Sequence, residues 1–338
     1  MKKIILLILF VCVTCLWGCV MKKEKEVVVV PVSNIMFKKD NLYNGDAKFL
    51  NNQYVVTQIG GKLAFINPHG EIVKLHKEVN VNWCDVDREN RILVYGNLEK
   101  KIGICRFDEE FNILSNETII EIQEDLGIDP SICKVDDKYY ITVTHITGNI
   151  NNADIQQENG NYSIRMYFSE DLKNWTEISK VIEAKQNLED IDLNYYNDKF
   201  FLTYEKESYD KANSSINLLV SNDNGKSWEQ NMVLIEENAD NEPAVFEYFN
   251  HKFYLYYSSD IENLGTSYEG AKIYMQEYNE NLQCIGNPIE IPLQNNIGNL
   301  LYDVEKKEND LYCLFTQKYI TESNFILEKT VFPIYERG

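Results

Sequence analysis

Polar turn residues followed by aromatic and β-branched runs recur six times along the chain. Asn51-Asn52-Gln53 precedes Tyr54-Val55-Val56, and Glu89-Asn90-Arg91 precedes Ile92-Leu93-Val94. Asp136-Asp137-Lys138 leads into Tyr139-Tyr140-Ile141, and Asn197-Asp198-Lys199 into Phe200-Phe201-Leu202. The last two copies are Asn250-His251-Lys252 before Phe253-Tyr254-Leu255, and Asn309-Asp310 before Leu311-Tyr312-Cys313-Leu314. Turn residues ahead of strand formers are a hairpin signature. A second alternating run follows each copy: Lys101 to Phe107, Ser163 to Phe168, Ile216 to Val220 and Lys272 to Gln276, with weaker versions at Lys62 to Ile66 and Phe325 to Val331. No stretch keeps a helical period.

Hairpin pairs repeating every roughly 40–60 residues have the period of propeller blades. The expected fold is therefore all-β, a six-bladed β-propeller with four-stranded antiparallel blades. Five blades remain open if the first or last copy only completes the ring. Tyr54, Ile92, Tyr139, Phe200, Phe253 and Tyr312 should then occupy equivalent strands of successive sheets. About 300 residues beyond the N-terminal segment fit one such domain, spanning 41–338.

The N-terminus follows a different pattern. Lys2 and Lys3 precede an apolar run from Ile4 to Trp17, shorter than the ~20 residues that span a bilayer, which reads as a signal segment. Leu16-Trp17-Gly18-Cys19 resembles the bacterial lipoprotein cleavage site, although Trp17 is bulky for its position. That resemblance implies a signal peptide over 1–18, a lipidated Cys19, a tether over 19–40 and a protein held on the bacterial cell envelope by its lipid alone. The Val27–Val30 run could instead form an edge strand.

Charge narrows the partners. Asp and Glu number 53 against 33 Lys and Arg, for a net charge of −20. Such a surface repels phosphate backbones and argues against nucleic acid. Cys84, Cys105, Cys133, Cys284 and Cys313 are far apart and sit among apolar neighbours, so they read as small buried hydrophobes. Four scattered His residues give no metal-ligand spacing, and neither a metal nor another cofactor is expected. The expected state is a monomer.

Two resemblances go further. Ser221-Asn222-Asp223-Asn224-Gly225-Lys226-Ser227-Trp228 resembles the Asp box of sialidases and related propellers, S-x-D-x-G-x-[TS]-W, and Ser169 to Trp175 is a looser copy. In that motif Asp223 would cap backbone N–H groups, Gly225 would take a positive φ and Trp228 would pack between sheets. The resemblance implies a structural turn. Sialidases themselves hold a substrate carboxylate with three Arg from different blades. Arg88, Arg91, Arg106, Arg165 and Arg337 give no such set, so sialidase activity is the least favoured reading.

The second resemblance rests on acids ahead of three consecutive turn phrases. Asp129-Pro130, Asp190 and Glu242-Pro243 stand at nearly equal offsets before Lys138, Lys199 and Lys252. This resembles glycoside hydrolase family 43 over about residues 125–260. It implies Asp129 as general base, Asp190 as the residue that tunes the acid's pKa, and Glu242 as general acid. The family's Asp-Pro usually opens its domain, whereas Asp129-Pro130 begins the third repeat here. Inverting hydrolysis needs one carboxylate to activate water and one protonated carboxyl for the leaving oxygen. A nearby third charge keeps the acid protonated. Asp192 competes with Asp190 for the inward position, and Trp83, His145 and Arg165 are further candidates for sugar contact, although core packing suits Trp83 and His145 better. The expected function is a glycosidase-like surface lipoprotein that hydrolyses or holds an oligosaccharide. The alternative is a propeller that binds a glycan or an envelope protein without catalysis.

Overall fold

The computed structural model describes residues 33–42, 46–122, 125–147, 161–208, 213–261, 269–319 and 321–332. The signal segment, Cys19 and the Val27–Val30 run lie outside the described residues. Among those described, the only helical element is the short 3-10 turn Asn51–Gln53, and no helix is long and apolar enough to cross a membrane.

All else is antiparallel strand and turn. Asn34–Lys39 (β1) comes first. Then Ala47–Phe49 (β2), Val55–Ile59 (β3), Lys62–Ile66 (β4) and Ile72–Asn80 (β5) form one four-stranded sheet in chain order. Trp83–Asp87 (β6), Ile92–Asn97 (β7), Lys101–Phe107 (β8) and Ile113–Glu121 (β9) form the next. Asp125–Val135 (β10), Lys138–Thr147 (β11), Asn161–Ser169 (β12) and Thr176–Ala184 (β13) form another.

Asn187–Tyr196 (β14), Lys199–Ser208 (β15) and Asn213–Ser221 (β16) follow, and then the 21-residue strand Glu229–Phe249 (β17). The first part of β17 pairs with β16, and the part from Asp240 pairs with Lys252–Asp260 (β18). One strand thus ends a sheet and begins the next, which Lys272–Asn279 (β19) and Cys284–Glu290 (β20) complete. Asn299–Lys307 (β21), Asp310–Gln317 (β22) and Asn324–Val331 (β23) take β1 as their fourth strand.

The pairing yields six four-stranded antiparallel sheets of a β-propeller, consistent with six repeats. The six phrases read from sequence fall on the second strands: Ile92, Tyr139, Phe200, Phe253 and Tyr312 lie in β7, β11, β15, β18 and β22, and Tyr54 immediately precedes β3. One boundary moves. Asn34–Lys39, assigned from sequence to the tether, is strand β1, because Asn34 to Lys39 pair with Lys329 to Phe325 across the whole length of the chain.

The first strands β2, β6, β10, β14, the later part of β17, and β21 touch in that order, and β21 returns to β2. A separate apolar cluster fills each gap between neighbouring sheets. Middle strands are therefore buried on both faces, which is why Phe200-Phe201-Leu202 is a continuous apolar run instead of an alternating one. Cys84, Cys105 and Cys313 are buried in these cores. Two cysteines depart from expectation: Cys133 is only half-buried, and Cys284 is exposed because β20 is the outermost strand of its sheet.

Ser221 to Trp228 closes as a turn between β16 and β17. Asp223 accepts the Ser227 N–H at 2.9 Å and the Ser227 hydroxyl at 2.7 Å, and Ser221 Oγ accepts the Gly225 N–H at 2.9 Å. Gly225 has φ 79° and a Cβ there would stand 2.3 Å from Met166 Sδ, so only glycine fits. The half-buried Trp228 donates to Gly225 O and to Ser179 Oγ on the preceding sheet, both at 3.2 Å.

Candidate active site

Each of four first strands carries an irregularity in register at the same height. The pairing shifts between Ile128 and Ser131, between Glu189 and Asp192, between Pro243 and Val245, and between Leu301 and Asp303. Extra residues at such bulges bend the strand and re-aim side chains. Asp129 and Asp190 are the bulge residues of β10 and β14, and both take left-handed backbone conformations, φ 46° and 48°. Aspartate tolerates this region better than most residues, yet it remains a strained choice.

At three of these four bulges the residue just after it has a structural duty. Ser131 Oγ accepts the Leu193 N–H at 3.0 Å, Asp192 Oδ2 accepts the Phe246 N–H at 2.9 Å, and Asp303 Oδ2 accepts the Phe49 N–H at 2.7 Å. Asp85 accepts the Ile132 N–H, and Asp46 accepts the Cys84 N–H, at 2.9 and 2.8 Å. In each case a side chain of one first strand, or just before it, ties down the backbone of the next. The Asp303–Phe49 bond joins last sheet to first.

A cavity of about 160 Å³ is bounded by all six first strands, with Lys48, Asp85, Asp129, Asp190 and Glu242 in its wall. Lys48 is ringed by Asp46, Asp85, Asp303 and Asp192 from four sheets. Burial opposes its charge, but these carboxylates hold its pKa above the usual lysine value. Burial in turn pushes Asp46 and Asp192 up to about 6 despite Lys48.

The acids crowd toward β14, β15 and β17. Across β14 and β15, Glu189 lies opposite Glu205 and Asn187 opposite Glu207; across β17 and β18, Asp240 lies opposite Asp260. Directly opposed residues share a face. Burial and Asp190 push Glu189 up to about 8, and burial with Glu207 and Asp260 pushes Asp240 up to about 7. Glu205 and Glu242, 2% and 5% exposed, are both raised well above the carboxylate range, mainly by burial. The carboxyl oxygens of Asp190, Glu205 and Glu242 lie within 4.8 Å of one another, the only acid, His or Cys group among the described residues spaced to hold a metal ion.

Asp129 and Glu242 differ in what they bond. Asp129 Oδ2 accepts the backbone N–H of Asp190 at 3.1 Å, a bond that favours the charged form and works against the rise that burial and Asp190 impose. Glu242 hydrogen-bonds the Asp190 side chain, which favours its protonated form and adds to burial and the Glu205 charge. Burial and neighbouring acids raise both well above the ordinary carboxylate value, and they differ in that a backbone bond favours the charged form of Asp129 whereas a side-chain bond favours the protonated form of Glu242.

Asp129, Asp190 and Glu242 thus line one cavity, as do Asp192 and the half-buried Trp83. Asp192 Oδ2 also serves the fold, accepting the Phe246 N–H at 2.9 Å and Asn194 Nδ2 at 2.8 Å. Two expected sugar contacts are corrected. His145 and Arg165 sit on β11 and β12, the second and third strands of their sheet, and line no part of this cavity. His145 is 3% exposed and its Nε2 meets Tyr167 OH at 2.9 Å, while Arg165 bonds Ser163 and Glu177. Among the described residues, no arginine is in the cavity wall. Sequence reasoning passed over Asp46, Lys48, Asp85, Glu205 and Asp303. Asp85 and Asp303 could have been found by extending the search for acids ahead of turn phrases to the second and last repeats.

Residues 122–310 match the family model described as glycosyl hydrolases family 43. No curated protein matches the chain. Among solved structures, the chain is similar to an α-L-arabinanase from Penicillium chrysogenum complexed with arabinobiose, at 12% identity and TM-score 0.58, over 89% of this chain and 98% of that one. It is similar to the α-L-arabinofuranosidase Arb93A from Fusarium graminearum in complex with an iminosugar inhibitor, at 9% identity and TM-score 0.56, over 90% and 98%. A thermostable family-43 glycoside hydrolase aligns at 20% identity and TM-score 0.39 with 56% of this chain, covering 63% of its own length. At these identities the first two likenesses establish the propeller fold.

Proposed function

Because this chain belongs to glycosyl hydrolase family 43, we propose that it hydrolyses a glycosidic bond in an oligosaccharide with inversion at the anomeric carbon. Asp129 is the general base, Asp190 orients and tunes the acid, and Glu242 is the general acid. The observation that supports this reading most is the bonding of Asp190, whose backbone N–H goes to Asp129 and whose side chain goes to Glu242.

In the proposed reaction the charged Asp129 removes a proton from a water on one face of the sugar. The water oxygen forms the new bond to the anomeric carbon as the bond to the leaving oxygen breaks. Glu242 gives its proton to that oxygen. A proton has then moved onto Asp129 and another off Glu242, and exchange with solvent resets the pair. Trp83 in the cavity wall offers an aromatic face to a sugar ring.

The solved arabinanase and arabinofuranosidase with this fold make arabinose-containing oligosaccharides the first substrates to try. The test is release of reducing sugar from arabino- and xylo-oligosaccharides and from aryl glycosides, with the anomer first formed read by proton NMR. Turnover giving the inverted anomer supports the proposal. Retained anomers would overturn the mechanism. Tight binding without turnover of any glycoside would leave a glycan-binding propeller as the better reading.

We also propose that Cys19 carries a lipid that holds the propeller on the cell envelope, on the strength of Leu16-Trp17-Gly18-Cys19 after an apolar run. Cys19→Ala should abolish labelling by a radioactive fatty acid; equal labelling of both proteins would refute the anchor.

A further inference from the structure

Glu205 sits one strand behind the cavity wall. It lies on β15, opposite Glu189 of β14 and Ile216 of β16, and is not part of the cavity lining. Its carboxyl oxygens are nevertheless within 4.8 Å of those of Asp190 and Glu242, and it shares a hydrogen bond with Glu242. Two carboxyls can share a hydrogen bond only if one of them carries a proton.

We infer that Glu205 is a positioning residue for the proposed acid: its carboxylate shares with the Asp190 side chain the single O–H of the protonated Glu242 and holds that side chain in place. This rests on the reading of Glu242 as proton donor. The bond favours the charged form of Glu205, which fits a proton held on Glu242, the member of the pair in the cavity wall. The acids acting on the pair are Asp190 from β14, Glu207 from β15 and Asp240 from β17, and Glu207, Asp260 and Asp190 act in turn on Asp240; the residues opposite on β16 and β18 are Ile216 and Ser258. Burial and these negative charges are the largest influences on both members. A carboxylate behind the acid thus supplies in a buried site what solvent would supply at the surface, an acceptor that fixes the O–H direction.

The proposal distinguishes Glu205 from a packing residue by what happens to charge. Glu205→Gln keeps the shape, removes the negative charge and leaves an amide that can still accept a hydrogen bond. Glu242 should then ionise more easily. The test is a carbon NMR titration of the full chain carrying glutamate labelled at the side-chain carboxyl carbon, with the Glu242 signal identified by its loss in Glu242→Gln. In the unaltered protein Glu242 should remain protonated past neutral pH. In Glu205→Gln its midpoint should fall by about one pH unit or more. Where a glycoside is turned over, the alkaline limb of kcat/KM should move down by the same amount, with kcat changing more than KM.

Glu205→Asp, which keeps the charge, should restore the midpoint at least in part, and serves as the second variant if Glu205→Gln does not fold. An unchanged Glu242 midpoint in Glu205→Gln overturns the proposal. So does a Glu242 signal that moves when calcium is added and returns with a chelator, because the three carboxyls would then be holding a metal ion instead of a proton. Absence of turnover on every glycoside would defeat the hydrolase reading while leaving the titration to decide the pairing of Glu205 with Glu242.

Discussion

Asp129 and Asp190 are joined by a 3.1 Å bond from the Asp190 backbone N–H to Asp129 Oδ2 across 61 residues of chain. Both are bulge residues with left-handed φ. The bond therefore locks one strained turn against the other and leaves a carboxylate oriented at the cavity wall. Asp129→Asn keeps an oxygen for that N–H but cannot take a proton from water. Turnover should fall by about 10²–10⁴-fold, the usual contribution of a general base, with little loss of stability. Steady-state kinetics beside urea unfolding checks this; equal loss in both would make Asp129 structural only.

Lys48 is the cation at the centre of the acid ring. Lys48→Met leaves Asp46, Asp85, Asp192 and Asp303 without it. Removing one partner from a buried charge group costs on the order of 3–5 kcal/mol. The loss should be smaller near pH 5 than near pH 8, because Asp46 and Asp192 already sit at about 6 with Lys48 present. Urea denaturation at both pH values measures it. A loss under about 1 kcal/mol at pH 8 would show that solvent, not Lys48, compensates the ring.

Stability should decline as pH rises from 5 to 8.5. The folded-state values of Asp46 and Asp192 are raised from 3.8 to about 6, of Asp240 from 3.8 to about 7, and of Glu189 from 4.5 to about 8. The folded protein therefore holds more protons than the unfolded chain across this window. Stability from these groups is full below about pH 4 and is lost as pH passes through 6 to 8. A carboxyl whose pKa rises by one on folding contributes about 1.4 kcal/mol before solvent relaxation is counted. Asp171 and Asp223 are lowered by hydrogen bonds in exposed turns, and their opposite effect falls below pH 4, outside the window. Thermal melts should show Tm dropping by several degrees; a rising Tm would contradict the folded-state proton count.

The turn from Ser221 to Trp228 should matter for stability alone. Asp223→Ala removes acceptors for Ser227 N–H and Oγ, at a cost of about 1 kcal/mol by analogy with helix caps. Trp228→Ala should cost more, about 3 kcal/mol, the low end for aromatic truncation because the ring is only half-buried. Turnover per folded molecule should be unchanged in both; a selective loss of activity would bring this turn into the site.

The second strands were legible in the sequence because burial on both faces makes them apolar and a polar turn announces each one. Phe200-Phe201-Leu202 after Asn197-Asp198-Lys199 is such a case. Asn34–Lys39 was hidden because NIMFKK becomes a strand only by pairing with β23, a contact no local pattern encodes. The double use of β17 was hidden too, since Glu236 to Asn241 reads as a polar loop. The acids at bulges could be lined up by their offsets from the turn phrases. His145 and Arg165 could not, because closeness in sequence to a first strand says nothing about distance from the centre of the ring. Glu205 was missed because Thr203-Tyr204-Glu205-Lys206-Glu207 looks like a solvated strand end. Only the folded chain shows that it backs Glu242.

The central claim is that Glu242 delivers the proton to the leaving oxygen. Its most direct measurement is a comparison of the unaltered chain with Glu242→Gln on an arabino-oligosaccharide, with turnover by reducing-sugar release and sugar affinity by calorimetry. The amide keeps the shape of the side chain and cannot donate that proton to the glycosidic oxygen, so turnover should fall at least ~100-fold with affinity changed little. Equal turnover by the two proteins would contradict the assignment.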